Sequence, residues 1–475
     1  MKRIRVMGIL LLALALFAAG CAGDDDAAGG EDPVDEATQA EDLAAEDASE
    51  QEGLEEPTEE GATEAEPTEA GEEAPTEEEP APEGEEEATE AVTRADADLV
   101  IWADDTRVQA LQPFADQFGE ENGITVAMQE LAFDEIRAQF STAAPAGEGP
   151  DIIIGAHDWL GELVTNGLVS PVDLPNAADY AEVAIEAFTY EGQLYGVPYA
   201  IENIALVRNT DLVPDAPATF EELEQTALEL QDSGDVEVGL ALQTDTADPY
   251  HNYPLFTSTG ASVFGVNEDG SYNPDELGID SPEGLEAAEL FGQWVESGLI
   301  NPSITYDVMV ESFATGNAAY AITGPWAVSQ EDPPGFQAQG VPYAVSPIPS
   351  IDGGTPQPFV GVQGLMVSSF SEQGLLAQTF VQDFIGSEEV QLALFEAGGR
   401  PPALLSAFEQ VSDNPDVQGF GESGANGAPL PAIPEMGSVW TAWTDAYELI
   451  YDQQGTPTEN FEAAADQIRN LINEG

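Results

Sequence analysis

From residue 99 onward, the sequence predicts an α/β domain with a mostly parallel sheet covered by helices. Hydrophobic periodicity begins abruptly at Leu99, and the 377 residues from there to the C terminus contain all six tryptophans and both histidines. Strand-like and helix-like segments then alternate in the order βαβαβ, which is typical of such sheets. Because these folds bind ligands at the carboxyl ends of their strands, we expect functional residues there.

The first elements follow one another closely. LVIWA at Leu99 is a short buried strand, VQALQPFADQFGEENG is an amphipathic helix, and ITVAMQEL is the next strand. Residues 133–144 form a second helix, and DIIIGA follows a Gly/Pro turn as a third strand. Thr219, with Glu222 three positions later, is a capping box. Further patterns predict helices at 219–233, 282–298 and 460–472, and a hairpin at 267–274.

The first 21 residues have the three parts of an export signal. Three of the first five positions are basic, and the apolar stretch from Val6 to Phe17 is too short to span a bilayer stably. Small residues then lead to Cys21, the single cysteine of the chain. This arrangement resembles a bacterial lipoprotein signal, in which Cys21 becomes the lipid-modified first residue. The alternative is an ordinary cleaved secretion signal.

Residues 22–98 predict a disordered acidic linker. They contain 32 acidic residues, one arginine and no aromatic residue in 77 positions. Such a segment cannot bury enough apolar surface to offset its chain entropy, and its like charges extend it. Two roles fit this composition equally: a tether between the membrane and the domain, or a solubilising tail.

The charge balance excludes several classes of function. The chain has nine basic and 92 acidic residues, a formal charge of −83, and after residue 21 it keeps six arginines and no lysine. Nucleic-acid binding requires many basic groups to neutralise phosphates, and a P-loop or a Schiff base requires a lysine. The acidic spacing at 267–274 is wrong for a calcium loop. We therefore expect no nucleic-acid partner, no metal and no cofactor.

Seven segments of the domain form an ordered set of motifs. They are LVIWADD at Leu99, EGPDIIIGAHDWLGEL at Glu148, YGVPYAIENIALVRNTDL at Tyr195, DPYHNYPL at Asp248, GNAAYAITGPWA at Gly316, PFVGVQGLMV at Pro358 and LPAIPEMGSVW at Leu430. These segments occur in the order found in maltodextrin-binding proteins, and the chain resembles these members of the extracellular solute-binding protein family over residues 99–475.

The resemblance implies a two-lobed periplasmic-binding-protein-like fold with three interlobe crossovers and a ligand cleft between the lobes. By motif, lobe one takes about 99–200 and 365–399, and lobe two takes about 205–359 and 403–475. The lobes are expected to close over the ligand by a hinge motion.

The resemblance also implies a set of ligand-binding residues. A sugar site needs aromatic planes for the C–H faces and carboxylates or guanidinium groups for the hydroxyls. Trp326 and Trp440 match positions that stack on sugar, whereas Asp158 and Glu202 match hydroxyl acceptors. The full predicted set is Asp104, Asp105, Arg107, Asp158, Trp159, Glu202, Asp248, Tyr250, Trp326, Trp440 and Trp443.

Two departures from the periplasmic maltodextrin-binding protein concern aromatic residues. Gly155 stands where that protein has a tryptophan, and Trp159 stands where it has an arginine. Near the C terminus, Trp440 is kept, and Trp443 lies between two positions that have lost an aromatic residue and an arginine. We therefore expect the aromatic surface of the ligand site to lie at different positions from those in that protein. His157, although it neighbours Asp158, is expected to be a packed residue that does not face the ligand.

The resulting hypothesis is a monomeric, lipid-anchored receptor on the extracellular face of the cytoplasmic membrane. It would bind maltose, maltodextrin or cyclodextrin and deliver the sugar to the permease of an ABC importer. One alternative is a receptor of the same fold for another oligosaccharide or for a non-sugar solute such as a polyamine. A remote alternative is an extracellular glycoside hydrolase, but no nucleophile and base are evident, and we expect no enzyme activity.

The charge of the domain itself predicts a salt-dependent fold and a halophilic host. Residues 99–475 hold 60 acidic residues and five arginines. Molar salt shortens the Debye length to about 3 Å and so relieves this self-repulsion. We expect the melting temperature of the purified domain to rise steeply between dilute buffer and molar salt in a thermal scan. A flat response would contradict the inference.

Overall fold

The computed structural model describes residues 97–267, 270–329 and 334–474. The predicted export signal with its cysteine and all but the last two residues of the predicted linker lie outside the described residues. So do two positions of the predicted hairpin.

The strands are short, apart from two that carry the chain between sheets. In chain order they are β1 (Leu99–Ala103), β2 (Val126–Glu130), β3 (Ile152–Ala156), β4 (Val169–Ser170), β5 (Thr189–Tyr190), β6 (Gln193–Leu194), β7 (Gly196–Glu202), β8 (Ala205–Asn209), β9 (Val238–Ala241), β10 (Phe264–Val266), β11 (Tyr272–Leu277), β12 (Ala318–Thr323), β13 (Tyr343–Ser346), β14 (Phe359–Ser368) and β15 (Ala428–Pro429).

Helices separate most of these strands. They are α1 (Asp105–Asn122), α2 (Phe133–Ala146), α3 (Leu160–Thr165), α4 (Glu182–Ala187), α5 (Phe220–Ser233), α6 (Pro249–Thr257), α7 (Pro282–Ser297), α8 (Tyr306–Ala314), α9 (Pro325–Ser329), α10 (Phe336–Gln339), α11 (Gly374–Thr379), α12 (Glu388–Gly398), α13 (Leu405–Val411), α14 (Pro415–Gly424), α15 (Trp440–Tyr451) and α16 (Pro457–Glu474). Short 3-10 turns occur at His157–Trp159, Ala177–Asp179 and Pro434–Ser438, and a π-helical segment occurs at Phe380–Ile385.

The larger sheet has the strand order β15-β14-β3-β1-β2, and β4 and β7 also pair with β14. β1 is parallel to both β2 and β3, as the βαβαβ order predicts. β14, however, runs antiparallel to β3, β4 and β7, so the sheet is mixed rather than mostly parallel. The reason is topological, because β7 leaves this sheet for the second one and β14 returns from it.

The smaller sheet has the order β13-β8-β12-β9 and is buried on both faces. Side chains of β8 alternate between two hydrophobic clusters, with Leu206 in one and its neighbours Ala205 and Val207 in the other. This alternation is what a strand covered on both faces requires. The sheet also mixes directions, since β12 is parallel to β9 and antiparallel to β8.

The chain crosses between the sheets at three places. β7 ends at Glu202 and β8 begins at Ala205, after two intervening residues. β13 is followed by β14, and the segment after α12 leads to α14, which packs on β13. β14 begins at Phe359, six residues before the position that the resemblance assigns to lobe one. Ala403 and Leu404 pack in the core of the larger sheet, although the resemblance assigns them to lobe two.

Most predicted elements match the structure, and their ends are set by capping. α1 begins three residues before the predicted helix because the Asp104 side chain accepts the N–H of Arg107 at 3.0 Å. The Thr219 hydroxyl accepts the N–H of Glu222 at 3.3 Å, which confirms this cap. The predicted hairpin corresponds to the antiparallel pair β10 and β11. Within the described ranges, every helix is too short or too polar to cross a bilayer.

Trp443 is a core residue, which contradicts its predicted place in the ligand site. Its side chain is fully buried against the smaller sheet, edge-on to Phe256 at 4.9 Å and stacked on Tyr447 at 5.8 Å. Trp440 lies three residues earlier, about 60° away around the helix, and remains partly exposed at the margin of the same core. Two tryptophans that look equivalent in the sequence therefore differ in burial.

We expect Trp443→Ala to lower the free energy of unfolding by about 3–5 kcal/mol, because it removes a large buried ring and leaves a cavity. Urea denaturation in molar salt measures this loss. Trp443→Phe, which keeps most of the ring, serves as the control and should cost much less. A Trp443→Ala protein as stable as the wild type would return Trp443 to the list of candidate ligand contacts.

Candidate functional site

Three of the predicted carboxylates lie at one edge of the larger sheet. Asp104 follows β1, Asp158 follows β3 and Glu202 ends β7, and all three carboxylates are buried. β1 and β3 are parallel, so their carboxyl ends meet at the same edge. A buried carboxylate is stable only with partners, and each of these three has them.

Asp104 and Arg107 form an ion pair in the first turn of α1. The Arg107 Nε–H also donates to the Tyr199 hydroxyl at 2.5 Å, and its guanidinium lies 5.0 Å from the centre of the Phe133 ring. Burial lowers the pKa of Arg107, and Tyr199 opposes this shift. Asp105, in contrast, is exposed and accepts the N–H of the next residue, so the structure does not place it with the others.

Asp158 meets Trp440, the first residue of α15. Burial raises the pKa of Asp158 to about 6, while Arg137 and the Trp440 side chain, as a hydrogen-bond donor, favour its charged form. Trp440 packs against the core of the smaller sheet. A predicted carboxylate and a predicted stacking ring are therefore neighbours.

His157 is a packed residue, as its sequence context predicts. Its Nδ1 accepts the N–H of Val362 at 3.1 Å, so its Nε2 carries the proton and donates to the carbonyl oxygen of Leu430 at 3.0 Å. This arrangement requires the neutral ring, and burial lowers the pKa of His157 to about 4. The ring thus joins β3, β14 and the segment before α15 without serving as an acid or base near neutral pH.

Glu202 is held on both of its oxygens. Gln363 donates to Oε1 at 2.7 Å, and the Nε–H of Arg400 donates to Oε2 at 2.5 Å. The Arg400 guanidinium also lies over the Trp326 ring, 4.9 Å from its centre. Burial acts to lower the pKa of Arg400, but the charge and hydrogen bond of Glu202 outweigh it, and the pKa is raised.

The aromatic side of the site is built on α6 and α9. The Trp326 ring lies directly on Gly324, where a Cβ would come within 2.1–2.5 Å of three ring atoms. The Tyr250 and His251 rings lie 6.4 Å and 5.8 Å from Trp326. The six-membered ring of Trp326 is therefore in close contact with the backbone at Gly324, where no side chain would fit.

Asp248 holds two residues of this aromatic group through its carboxylate. Its carboxylate caps α6 by accepting the N–H of Tyr250 at 2.9 Å, and it holds His251 Nδ1 at 2.6 Å. Both carboxylate oxygens therefore have partners within the protein. Asp248 orients two neighbours of Trp326, whereas the resemblance implies that it contacts the ligand directly.

Trp159 packs beside the site, in the core of the larger sheet. Its ring fills the space that a side chain at position 155 would take, since a Cβ on Gly155 would come within 2.1 Å of it. It also contacts Phe133 at 5.1 Å. The Trp159 ring therefore leaves room only for glycine at position 155.

The sequence patterns missed four residues of this group: Tyr199, His251, Gln363 and Arg400. Three of them lie inside the quoted motifs, next to or near residues that were chosen. Arg400 lies outside every motif, and its only signal is that arginine is rare in this chain.

Several buried polar atoms around these residues have no hydrogen-bond partner within the described part of the chain. They are Arg107 Nη2, Tyr250 Oη, His251 Nε2 and Gln363 Oε1. They include donors and acceptors, and a hydroxyl group can serve as either partner. Among residues 97–267, 270–329 and 334–474, no cluster of three or more His, Cys, Asp and Glu could hold a metal ion.

Comparison with known proteins places the chain in a family. A family model described as "Bacterial extracellular solute-binding protein" matches residues 113–419. The chain is 26% identical to the galactooligosaccharide-binding protein of Bacillus subtilis, over 79% of this chain and 90% of that protein. It is 25% identical to a maltooligosaccharide ABC transporter solute-binding lipoprotein of Streptococcus pneumoniae, over 79% of this chain and 88% of that protein.

The fold is also similar to that of a solved structure. The Thermus thermophilus maltotriose-binding protein, bound with maltotriose, superposes with a TM-score of 0.73 at 30% sequence identity, covering 79% of this chain and all of that one. Because the family model spans well over half of the chain and the two-sheet fold matches, the chain belongs to the bacterial extracellular solute-binding protein family, whose members bind solutes and are not enzymes.

Proposed function

We propose that the domain captures an oligosaccharide of the α-glucan type, such as maltose, a maltodextrin or a cyclodextrin, and delivers it to an ABC importer. One observation carries this proposal: two rings packed against the core of the smaller sheet are each joined, directly or through one arginine, to a carboxylate at the edge of the larger sheet. Trp440 meets Asp158 directly, and Trp326 is linked to Glu202 by Arg400. A pyranose has apolar faces and a rim of hydroxyls, so it needs a ring and a carboxylate side by side.

The charges of the site favour a neutral ligand. Asp104 is paired with Arg107, Glu202 is paired with Arg400, and burial raises the pKa of Asp158 to about 6. An anionic or cationic solute would bring a charge for which these paired groups leave no partner, and an uncompensated buried charge is costly. A polyamine therefore fits this site less well than a sugar, despite the acidic surface.

The similar proteins support a sugar and leave its linkage open. The names of the streptococcal and Thermus proteins specify maltooligosaccharide and maltotriose, whereas the Bacillus protein is named for galactooligosaccharides. The second candidate is therefore a receptor for an oligosaccharide with other linkages. A ligand panel should include both classes.

We also propose that the mature protein is a monomer anchored through lipid on Cys21 to the outer face of the cytoplasmic membrane. The motif at Cys21 and the similarity to a protein named as a lipoprotein support the anchor. The acidic residues 22–98 would then hold the domain away from the membrane surface.

Calorimetry in molar salt with maltose, maltotriose, a cyclodextrin and a galactooligosaccharide tests the ligand class. We expect binding of the α-glucans, and we expect Trp326→Ala and Trp440→Ala each to weaken it by roughly 1–3 kcal/mol, because each removes a stacking ring.

Trp294→Phe is the matched control, since this ring lies in the core of the smaller sheet against Phe220 and Phe291. Its dissociation constant should equal that of the wild type. Heat with the galactooligosaccharide alone would select the second candidate. An unchanged constant for Trp326→Ala or Trp440→Ala would remove that ring from the site.

Expression of the full chain with Cys21→Ala tests the anchor. We expect the wild type to fractionate with membranes and to enter the detergent phase of a phase-separation assay, because a lipid-modified N terminus is apolar. The Cys21→Ala protein should appear in the aqueous phase. Equal partitioning of the two proteins would contradict lipid modification.

A further inference from the structure

Arg400 connects the two halves of the candidate ligand site. Its Nε–H donates to Glu202, the last residue of β7 in the larger sheet, at 2.5 Å. Its guanidinium lies over Trp326, which follows β12 of the smaller sheet, 4.9 Å from the ring centre. One side chain thus contacts both a predicted hydroxyl acceptor and a predicted stacking ring.

The backbone around Arg400 fixes the start of this side chain. Gly399 ends α12 with a positive φ of 65°, and a Cβ there would lie 2.8 Å from the carbonyl oxygen of Pro325. Pro401 restricts Arg400 to an extended backbone, and its carbonyl oxygen accepts the N–H of Ile201 at 2.9 Å. Arg400 is therefore held beside Glu202 by its neighbours before its own side chain makes any contact.

The Glu202 carboxylate is consequently fixed in orientation. Gln363 holds one oxygen at 2.7 Å, and Arg400 holds the other. A carboxylate offers about four acceptor positions, so this arrangement leaves positions for ligand hydroxyls and fixes their direction. Without Arg400, one oxygen of a buried charge would lose its partner, and the carboxylate could rotate about its last bond.

We propose that Arg400 is a positioning residue of the ligand site, which orients Glu202 for a sugar hydroxyl and holds the Trp326 ring beside that carboxylate. This inference rests on the proposed function. Arg400 acts through Glu202, so its effect on affinity depends on the charge of that residue. A residue that only neutralised Glu202 for folding would change stability and leave the affinity of the folded protein unchanged.

A double-mutant cycle measured by calorimetry with maltotriose in molar salt separates these roles. The proteins are the wild type, Arg400→Gln, Glu202→Gln and the double variant Arg400→Gln/Glu202→Gln. We expect Arg400→Gln to raise the dissociation constant roughly 10- to 100-fold in the wild-type background. In the Glu202→Gln background, the same change should raise it by less than about 3-fold, because the charge that Arg400 orients is gone.

Two further variants make the test specific. Arg400→Lys keeps the charge and loses the planar guanidinium over Trp326, so this variant should bind maltotriose with intermediate affinity. It also replaces Arg400→Gln in the cycle if that variant does not fold. Arg469→Gln is the matched control, since Arg469 forms a bidentate pair with Asp280 at 2.6 and 2.8 Å on another part of the domain. Its dissociation constant should equal that of the wild type.

The outcomes distinguish this inference from the proposed function. If the wild type binds maltotriose and folded Arg400→Gln binds equally well, Arg400 is not a positioning residue. An equal loss in both backgrounds would also overturn its action through Glu202. If the wild type binds no sugar of the panel, the proposed function fails and this inference fails with it.

Discussion

Charge burial is the constraint on which the arrangement of this site depends. The chain is strongly acidic, yet it buries carboxylates where its two sheets meet, and each of them needs a partner because an unpaired buried charge costs several kcal/mol. The pairs are Asp104 with Arg107, Asp158 with Trp440, and Glu202 with Gln363 and Arg400. Two of the five arginines in the domain are used here.

The fold supplies these partners because strand ends and crossovers coincide. Glu202 ends β7 just before the chain leaves the larger sheet. Arg400 lies just after α12, before Ala403 and Leu404 in the core of the larger sheet and ahead of the crossover that leads to α14. The ring of Trp326 comes from the first turn after β12 of the smaller sheet. Residues far apart in sequence therefore converge close to the crossovers, which are the positions that move when two lobes close on a ligand.

How much the sequence could predict depended on whether the deciding information was local. The cap at Thr219, the strand β1 and the packed role of His157 follow from neighbouring residues, and the structure agrees. Trp440 and Trp443 lie three residues apart on α15, and they differ in burial because a core formed by distant helices covers Trp443 completely and Trp440 only in part. Asp104 and Asp105 differ by one position in the first turn of α1. Arg400 has no local pattern, since its contacts come from β7 and α9.

The electrostatics of the fold and of the site should respond differently to salt. Surface carboxylates repel one another across water, and this repulsion falls as the Debye length shortens. The pairs at Glu202 and Asp104 are buried within the domain, where mobile ions screen much less. A neutral sugar adds no charge to either set. The large negative charge and the ligand site are therefore compatible in one chain, because the surface repulsion acts through solvent whereas the buried pairs of the site are balanced within themselves.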